Sequence, residues 1–127
     1  MTNIAQQAHL KGHKVLVLAD GSKLSSAQYD QEQEFEIKRF DQLKFLRKKI
    51  KSNFCHFILK EKKIDLIYFD SWKSLEYIDK DLKIKKICLI HGNEILNLKK
   101  KDRINKSLSK ANKIIFNSSF TEKLFIK

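Results

Sequence analysis

Polar residues whose side chains can do chemistry follow four apolar runs of the sequence, at the point where each run ends. The four segments are Asp20-Gly21-Ser22, Asp70-Ser71-Trp72, His91-Gly92-Asn93-Glu94 and Asn117-Ser118-Ser119. A neutral imidazole such as that of His91 can hydrogen-bond a hydroxyl group or stabilise developing charge. A carboxylate such as that of Glu94 can accept a hydrogen bond from a hydroxyl group. These side chains are therefore the first candidates for a functional site.

The same candidate residues also have a purely structural interpretation. His91 at the end of a strand can cap backbone groups, and Gly92 can make a turn instead of letting the backbone approach a substrate closely. Glu94 can be a solvated glutamate of an exposed loop. Ser118 and Ser119 are at least as well suited to cap a following helix as to contact a ligand.

Other catalytic and metal-binding patterns are absent from the sequence. It has no GxGxxG motif, and no pattern in it indicates an activated nucleophile, a catalytic pair of carboxylates or a metal site. Cys55 and Cys88 stand far apart and form no CxxC pair, which predicts reduced thiols in a reducing cytoplasm and no structural zinc. The apolar stretches are much shorter than the ~20 residues that cross a bilayer. We therefore expect no metal, no membrane span and no chemistry that is independent of a second domain.

An alternation of strands and helices must position these segments. The predicted strands cover 15–19, 35–40, 64–69, 84–90 and 113–116. The predicted helices cover 2–11, 42–63, a short segment capped by Asp70-Ser71, a segment ending near Ala111, and a terminal helix that begins with the capping box Ser119 to Glu122. No element is predicted for the polar stretch 22–33. This order implies one three-layer, Rossmann-like α/β domain over 1–127 with a mostly parallel sheet, whose ligands bind beyond the carboxyl ends of the strands.

The charge of the chain is strongly basic. Lys and Arg number 27 against 15 Asp and Glu, but only three of the 27 are arginine. Because specific readout of bases favours the planar fork of arginine, a lysine-dominated surface argues against a specific nucleic-acid partner. The predicted helix 42–63 combines lysines with apolar residues at steps of three and four, a pattern typical of a contact with an anionic membrane surface. The alternative is a helix packed on the sheet with its lysines in water.

Four segments, Ala5–Val17, Ile64–Asp70, Ile87–Glu94 and Ala111–Ser118, resemble the N-terminal domain of the family 4 glycosyltransferases of the GT-B fold. The first segment, AQQAHLKGHKVLV, is similar to the family's helix that ends in Gly-His before an apolar strand. The second is similar to its D-x-I-h strand, the third to the strand that ends in a cleft histidine, and the fourth to the A-D-x-I-I-x-x-S strand. Order and spacing agree across nearly the whole chain.

The resemblance implies the retaining transfer of a hexosyl group from a nucleotide sugar to a glycan or a lipid-linked acceptor. It implies that His91 faces an interdomain cleft near the transferred sugar and that Gly92, Glu94, Asn117 and Ser118 contact substrate. It also implies a domain trimmed at both ends, since the family's opening strand and its C-terminal domain have no counterpart here. That missing domain holds the donor in the family, so no cofactor is expected beyond the nucleotide sugar, and the chain is expected to be inactive without it.

Two other hypotheses stay open at this point. The chain can be a catalytically silent binding module, either the partner half of a split transferase or a membrane-associated adaptor, and non-specific nucleic-acid binding through the basic end is a weaker third. The expected location is the cytoplasm, with a peripheral position on the inner face of the membrane. The sequence itself names neither the sugar nor the acceptor.

Overall fold

The protein is a mixed α/β chain of Rossmann-like type with small parallel sheets flanked by helices. The computed structural model describes residues 2–96 and 98–126, and among these all side chains except those of Thr2, Lys23, Ser25, Asn93, Ile95, Leu98 and Ile126. The strands are β1 (Leu16–Asp20), β2 (Glu36–Phe40), β3 (Leu66–Phe69), β4 (Lys85–Ile90) and β5 (Lys113–Phe116). The helices are α1 (Thr2–Leu10), α2 (Lys23–Gln31), α3 (Lys44–Glu61), α4 (Trp72–Leu75), α5 (Gly92–Ile95), α6 (Lys101–Leu108) and α7 (Ser119–Ile126), with a 3-10 turn at Leu98–Lys100.

The chain divides into two compact units, Met1–Asn53 and Phe54–Lys127. In the first unit β1 and β2 pair in parallel, with Leu16 opposite Glu36 and Asp20 opposite Phe40. The guanidinium of Arg39 in β2 donates two hydrogen bonds to Asp30 at the end of α2 through Nε and Nη2. A third bond, from Nη1, reaches the carbonyl of Asp20 at 3.2 Å. Arg39 thus fastens α2 and the end of β1 to β2.

The Phe54–Lys127 unit contains the larger hydrophobic core. Its strands lie in the order β3-β4-β5, all parallel. The centre of the core is formed by Leu75, Cys88 and Ile90, which have no exposed surface, and by Trp72, which is almost fully buried. The cluster is completed by Phe69, Ile78, Ile104 and Leu108. Apolar residues of β3, β4, α4 and α6 therefore meet in one cluster, which fixes the ends of the strands that carry the candidate site.

The predicted parallel pairing is confirmed, but the strands do not form one sheet. Within the described residues, hydrogen bonds join β1 to β2 in one sheet and β3 to β4 to β5 in another. The single five-stranded sheet that the sequence suggested is therefore wrong in this respect.

Two helix starts also differ from the predictions. The polar stretch 22–33 contains α2, whose first turn is capped by the Ser22 hydroxyl accepting from the Leu24 amide at 3.2 Å. At α7 the cap is Ser118, not Ser119, because the Ser118 hydroxyl accepts from the Thr121 amide at 3.2 Å. The Glu122 amide, which was expected to donate to Ser119, donates to the Ser118 carbonyl instead. Met1, expected at the start of α1, lies outside the described residues.

Helix α3 forms as its periodicity predicts, but the first three residues of its apolar stripe are exposed. Leu43, Leu46 and Ile50 follow one another at steps of three and four and are 67%, 45% and 38% exposed. Among the described residues of α3 the buried one is Ser52. Further along the helix, Phe54 and Ile58 are half-buried and Cys55 packs against the hydrophobic core, so the alternative of a helix packed on the sheet stays open. We refer to Leu46 and Ile50 of α3, together with Leu43 just before the helix, as the α3 stripe.

None of the helices, as far as the structure describes them, is both long enough and apolar enough to cross a lipid bilayer.

Candidate functional site

Three of the four polar segments named from the sequence meet at the carboxyl edge of the β3-β4-β5 sheet. Parallel strands bring their carboxyl ends to one edge, so the residues after Phe69, Ile90 and Phe116 are neighbours there. The Asn117 amide donates to the Ile90 carbonyl at 3.3 Å and extends the pairing of β5 with β4 by one residue. The edge is therefore one continuous surface built by three loops.

Ser71 and Glu94 connect the loop after β3 with the loop after β4. The Ser71 hydroxyl donates to Glu94 Oε1 at 2.7 Å and accepts from the Lys73 amide at 3.3 Å. The second contact caps α4, as the sequence predicted. Glu94 Oε2 is buried and, among the described residues, has no hydrogen-bond donor. A buried carboxylate oxygen without a hydrogen-bond donor raises the free energy of the folded chain. A ligand hydroxyl that donates to Glu94 Oε2 would remove this penalty.

His91 presents an accessible imidazole at the end of the central strand β4. It occupies the position before the first residue of α5, with φ −99° and ψ 138°, and its side chain makes no capping hydrogen bond in the described structure. The residue is exposed. The alternative interpretation, that the His91 side chain caps backbone groups, is therefore wrong. The imidazole lies three residues before Glu94, at the opposite end of the short helix α5.

Gly92 is required by close packing instead of by a turn. A Cβ atom built on it would lie 3.0 Å from Thr121 Oγ1, closer than ordinary contacts allow. Thr121 is 2% exposed, so it has little freedom to move aside. The absence of a side chain at Gly92 thus lets the first turn of α5 pack against α7. This close approach holds the backbone between His91 and Glu94.

Asn117 and Ser118 both take part in structural hydrogen bonds around Thr121. Thr121 Oγ1 donates to Asn117 Oδ1 at 2.7 Å and lies 3.0 Å from the Ser118 hydroxyl. Ser118 also caps α7 through the Thr121 amide. The capping interpretation is confirmed for Ser118. Contacts from these two residues to substrate stay a prediction.

Thr121 is the residue that sequence reasoning missed. It contacts Gly92 and bonds to both Asn117 and Ser118, so it joins the second and third loops of the edge. A signal was present, because Thr121 stands three residues after Ser118, the spacing at which a cap meets its amide. The neighbouring pair Ser119 and Glu122 has the same spacing and matches the capping-box pattern, so the sequence alone favoured that pair over Ser118 and Thr121.

The surroundings of the edge are rich in carboxylate charge. Burial raises the pKa of the Cys88 thiol to about 12, and the carboxylates of Glu94 and Asp70 add to that shift. The pKa of Tyr68 is also raised, first by burial and then by Asp70. Cys88 is therefore a neutral thiol beneath the edge and not a nucleophile at physiological pH. Across the described residues, no group of three or more His, Cys, Asp or Glu side chains is arranged to hold a metal ion.

The fourth polar segment, Asp20-Gly21-Ser22, belongs to the Met1–Asn53 unit. The Asp20 carboxylate forms salt bridges with Lys51 at 2.6 Å and Arg47 at 3.5 Å. Gly21 has φ +118°, a conformation that favours glycine, and Ser22 caps α2. These residues are therefore engaged in turns and ion pairs of their own unit.

No family model, curated protein or solved structure matches the chain. The chemistry of the carboxyl edge is therefore the basis for a function.

Proposed function

We propose that the Phe54–Lys127 unit is the acceptor side of a glycosyltransferase, which transfers a sugar from a nucleotide donor to a glycan or lipid-linked acceptor. The observation that supports it is the pairing of an accessible imidazole at His91 with the unsatisfied, buried Oε2 atom of Glu94 on the same short helix. A polyhydroxylated ligand supplies hydroxyl donors for the carboxylate and partners for both ring nitrogens. The resemblance to family 4 glycosyltransferases points to the same residues.

The chemistry of such a transfer assigns a role to each group. The bond from the anomeric carbon to the nucleotide's phosphate oxygen breaks, and a bond to an acceptor hydroxyl oxygen forms while the proton of that hydroxyl passes to the departing phosphate. Glu94, held by Ser71, would orient a sugar hydroxyl through Oε2. His91 would hydrogen-bond the sugar or stabilise charge that develops during the transfer. Donor binding falls to a second domain of the kind that the family carries.

Oligosaccharide binding tests the proposal on the chain as it exists. Saturation-transfer NMR with maltotriose, mannotriose and chitotriose should show transfer to at least one sugar. The signal should fall by about tenfold in His91→Ala and in Glu94→Gln, because each change removes a hydrogen bond to the sugar. His13→Ala, which removes an exposed histidine of the other unit, is the matched control. Equal signals from His91→Ala and the control, or no transfer to any of the three sugars, would contradict the acceptor role.

A second candidate is a contact between the Met1–Asn53 unit and an anionic membrane surface. The supporting observation is the exposed α3 stripe, which lies among lysines of the same helix such as Lys44 and Lys49. Exposed apolar groups can enter the acyl boundary of a bilayer, and lysines attract anionic headgroups. This would give the module a peripheral position on the inner face of the cytoplasmic membrane.

Vesicle sedimentation tests this second candidate. The chain should bind vesicles of phosphatidylcholine with phosphatidylglycerol and not vesicles of phosphatidylcholine alone. The double variant Leu46→Ser with Ile50→Ser should bind about tenfold more weakly, since two apolar side chains no longer enter the bilayer. Leu24→Ser is the matched control because Leu24 is 92% exposed on α2, outside the α3 stripe. Equal losses in the two variants would argue against the stripe as the contact.

A further inference from the structure

A cleft of about 430 Å³ opens at the amino ends of β4 and β5, the opposite edge of the sheet from His91. It is lined by 80–86 and 109–112. The described lining residues include five lysines and a single carboxylate, that of Asp81. The lysines are Lys80, Lys83, Lys85, Lys86 and Lys110. Its volume is in the range that small-molecule sites have.

Two of these lysines are fixed in place by backbone carbonyls. Lys86 is 3% exposed, and its ammonium donates to the carbonyls of Lys80 at 3.2 Å and Leu82 at 2.6 Å. The Lys110 ammonium donates to three carbonyls at the end of α4. Carbonyl groups satisfy the N–H donors but carry no net charge. The wall of the cleft therefore carries two positive charges that form no direct ion pair among the described residues, and the carboxylates of Glu76 and Asp79 lie near that of Lys110.

The remaining three lysines are exposed at the cleft. Among the described residues, none of the five forms a salt bridge with a carboxylate. Burial lowers the pKa of Lys110, the carboxylates of Glu76 and Asp79 raise it, and the positive charges of Lys106 and Lys86 lower it further. Like charges thus repel one another around the cleft, and an anion placed between them would relieve that repulsion.

We propose that this cleft binds a compact anion of the diphosphate class. Lys80, Lys83 and Lys85 would contact the phosphate oxygens, while Lys86 and Lys110 contribute a fixed positive field. Lysine ammonium groups bind phosphates as point charges from many directions, which suits three exposed, flexible side chains. Several negative charges on a small ligand match the excess of five lysines over one carboxylate in the lining of a small cleft. The site is independent of the proposed acceptor role because it lies at the other edge of the sheet.

Calorimetric titration with inorganic pyrophosphate at low ionic strength tests this site. We expect saturable binding to one site on the unmodified chain. The variant Lys83→Gln with Lys85→Gln should bind about tenfold more weakly or worse, because two charge-assisted hydrogen bonds are removed. Both side chains are exposed, so the fold should be kept, and circular dichroism checks this.

The matched control is Lys60→Gln with Lys63→Gln, which removes the same charge from exposed positions of the same unit outside the cleft. It should change pyrophosphate affinity by less than about twofold, since separated surface charges are screened. An equal loss of pyrophosphate affinity in both double variants would show that the net charge alone attracts the ligand, and it would overturn the site. Absence of pyrophosphate binding would overturn it as well. A twelve-nucleotide oligothymidylate is the alternative ligand. If it binds, if this binding is lost in Lys83→Gln with Lys85→Gln, and if pyrophosphate does not bind, the diphosphate site is overturned and the cleft is assigned to a nucleic-acid backbone.

Discussion

Thr121 is the residue on which the geometry of the carboxyl edge depends most. It is buried, it shares hydrogen bonds with the two residues that end β5, and its Oγ1 is the atom closest to Gly92. Its neighbours are therefore intolerant of added volume. The consequence is a backbone at Gly92 whose position is set by a side chain of another helix.

Replacement of Gly92 by alanine tests this packing. The new Cβ would lie 3.0 Å from Thr121 Oγ1, so either the hydrogen bonds of Thr121 or the start of α5 must shift. We expect a loss of about 1–2 kcal/mol in the free energy of unfolding, as for other overpacked sites, measured by urea denaturation. Thr121→Ala alone should also lower the free energy of unfolding. The double variant should lower it by less than the sum of the two single losses. Strict additivity would show that the two residues do not interact.

The Cys88 thiol makes stability depend on pH in the alkaline range. Its pKa is about 12 in the folded chain and 9.0 in an exposed thiol, so between these values the unfolded chain binds fewer protons. This contribution is complete below pH 9 and is lost as the pH rises towards 12, by up to about 1.4 kcal/mol per pH unit. The free energy of unfolding of the unmodified chain should therefore approach that of Cys88→Ala between pH 8 and 10.5. A constant difference across that range would contradict the shifted pKa.

The sequence located the candidate site better than it explained the residues in it. Position after a buried strand was enough to single out His91, Glu94 and Ser118, because parallel strands always end at a common edge. It did not distinguish a close packing at Gly92 from a turn, since that depends on Thr121, which is distant in sequence. Ser118 and Ser119 at the start of α7 each stand three residues before a backbone amide that they could cap, those of Thr121 and Glu122. Only the residue at which the helix begins decides which serine is the cap.

At the scale of elements, the side chain of a single lysine, Lys110, binds the carboxyl end of the short helix α4. The Lys110 ammonium donates to the carbonyls of Leu75, Glu76 and Ile78 at 3.3, 2.7 and 2.9 Å. Helix ends leave carbonyls without intrahelical partners, and a cation there is also favoured by the helix dipole. The guanidinium of Arg103 pairs with the Glu76 carboxylate in the same region. The end of α4 is therefore held by charges from α6 and the residues that follow it.

Substitution of Lys110 by methionine should measure this contribution. Methionine keeps an unbranched apolar stem but removes the three hydrogen bonds to carbonyls. We expect a loss of about 2 kcal/mol in the free energy of unfolding, since bonds to a charged group are lost together. Lys106→Met, on the exposed side of α6, should stay within about 0.5 kcal/mol of the unmodified chain. Equal effects of the two changes would contradict a specific role of Lys110.

Periodicity predicted the strands and the long helix, and it failed where a pattern carries no apolar signal. Helix α2 has mostly polar residues, so its existence depends on the Ser22 cap and on the bonds from Arg39 to Asp30. The apolar period of α3 was read correctly as a helix, but the same period cannot say which side faces the interior. The position of Ser52 inside and the α3 stripe outside is decided by the folded chain.

At the scale of the whole molecule, the two units differ in how much apolar surface they bury. The core cluster of the Phe54–Lys127 unit includes residues with no exposed surface, such as Leu75 and Ile90. In the Met1–Asn53 unit the described apolar residues that are buried are Ala5, Phe35 and Phe40, each with some exposure left. Local stability follows buried apolar area, so the units should open with different free energies.

Amide hydrogen exchange should reveal this difference. The amides of β4 should exchange at least about tenfold more slowly than those of β1 and β2, which corresponds to about 1.4 kcal/mol. Mass spectrometry of peptides that cover each strand is sufficient to see it. Equal protection of the two sheets would mean that the chain opens as one cooperative unit.

The most direct test of the central claim is the imidazole resonance of His91 in the presence of an oligosaccharide. In the ¹⁵N-labelled chain, titration with the oligosaccharide that binds best of maltotriose, mannotriose and chitotriose should shift the His91 ring nitrogens and the Glu94 amide together. The same titration should leave the His13 ring unchanged. Unmoved His91 and Glu94 resonances at sugar concentrations that saturate the chain would contradict a sugar site at the carboxyl edge of the β3-β4-β5 sheet.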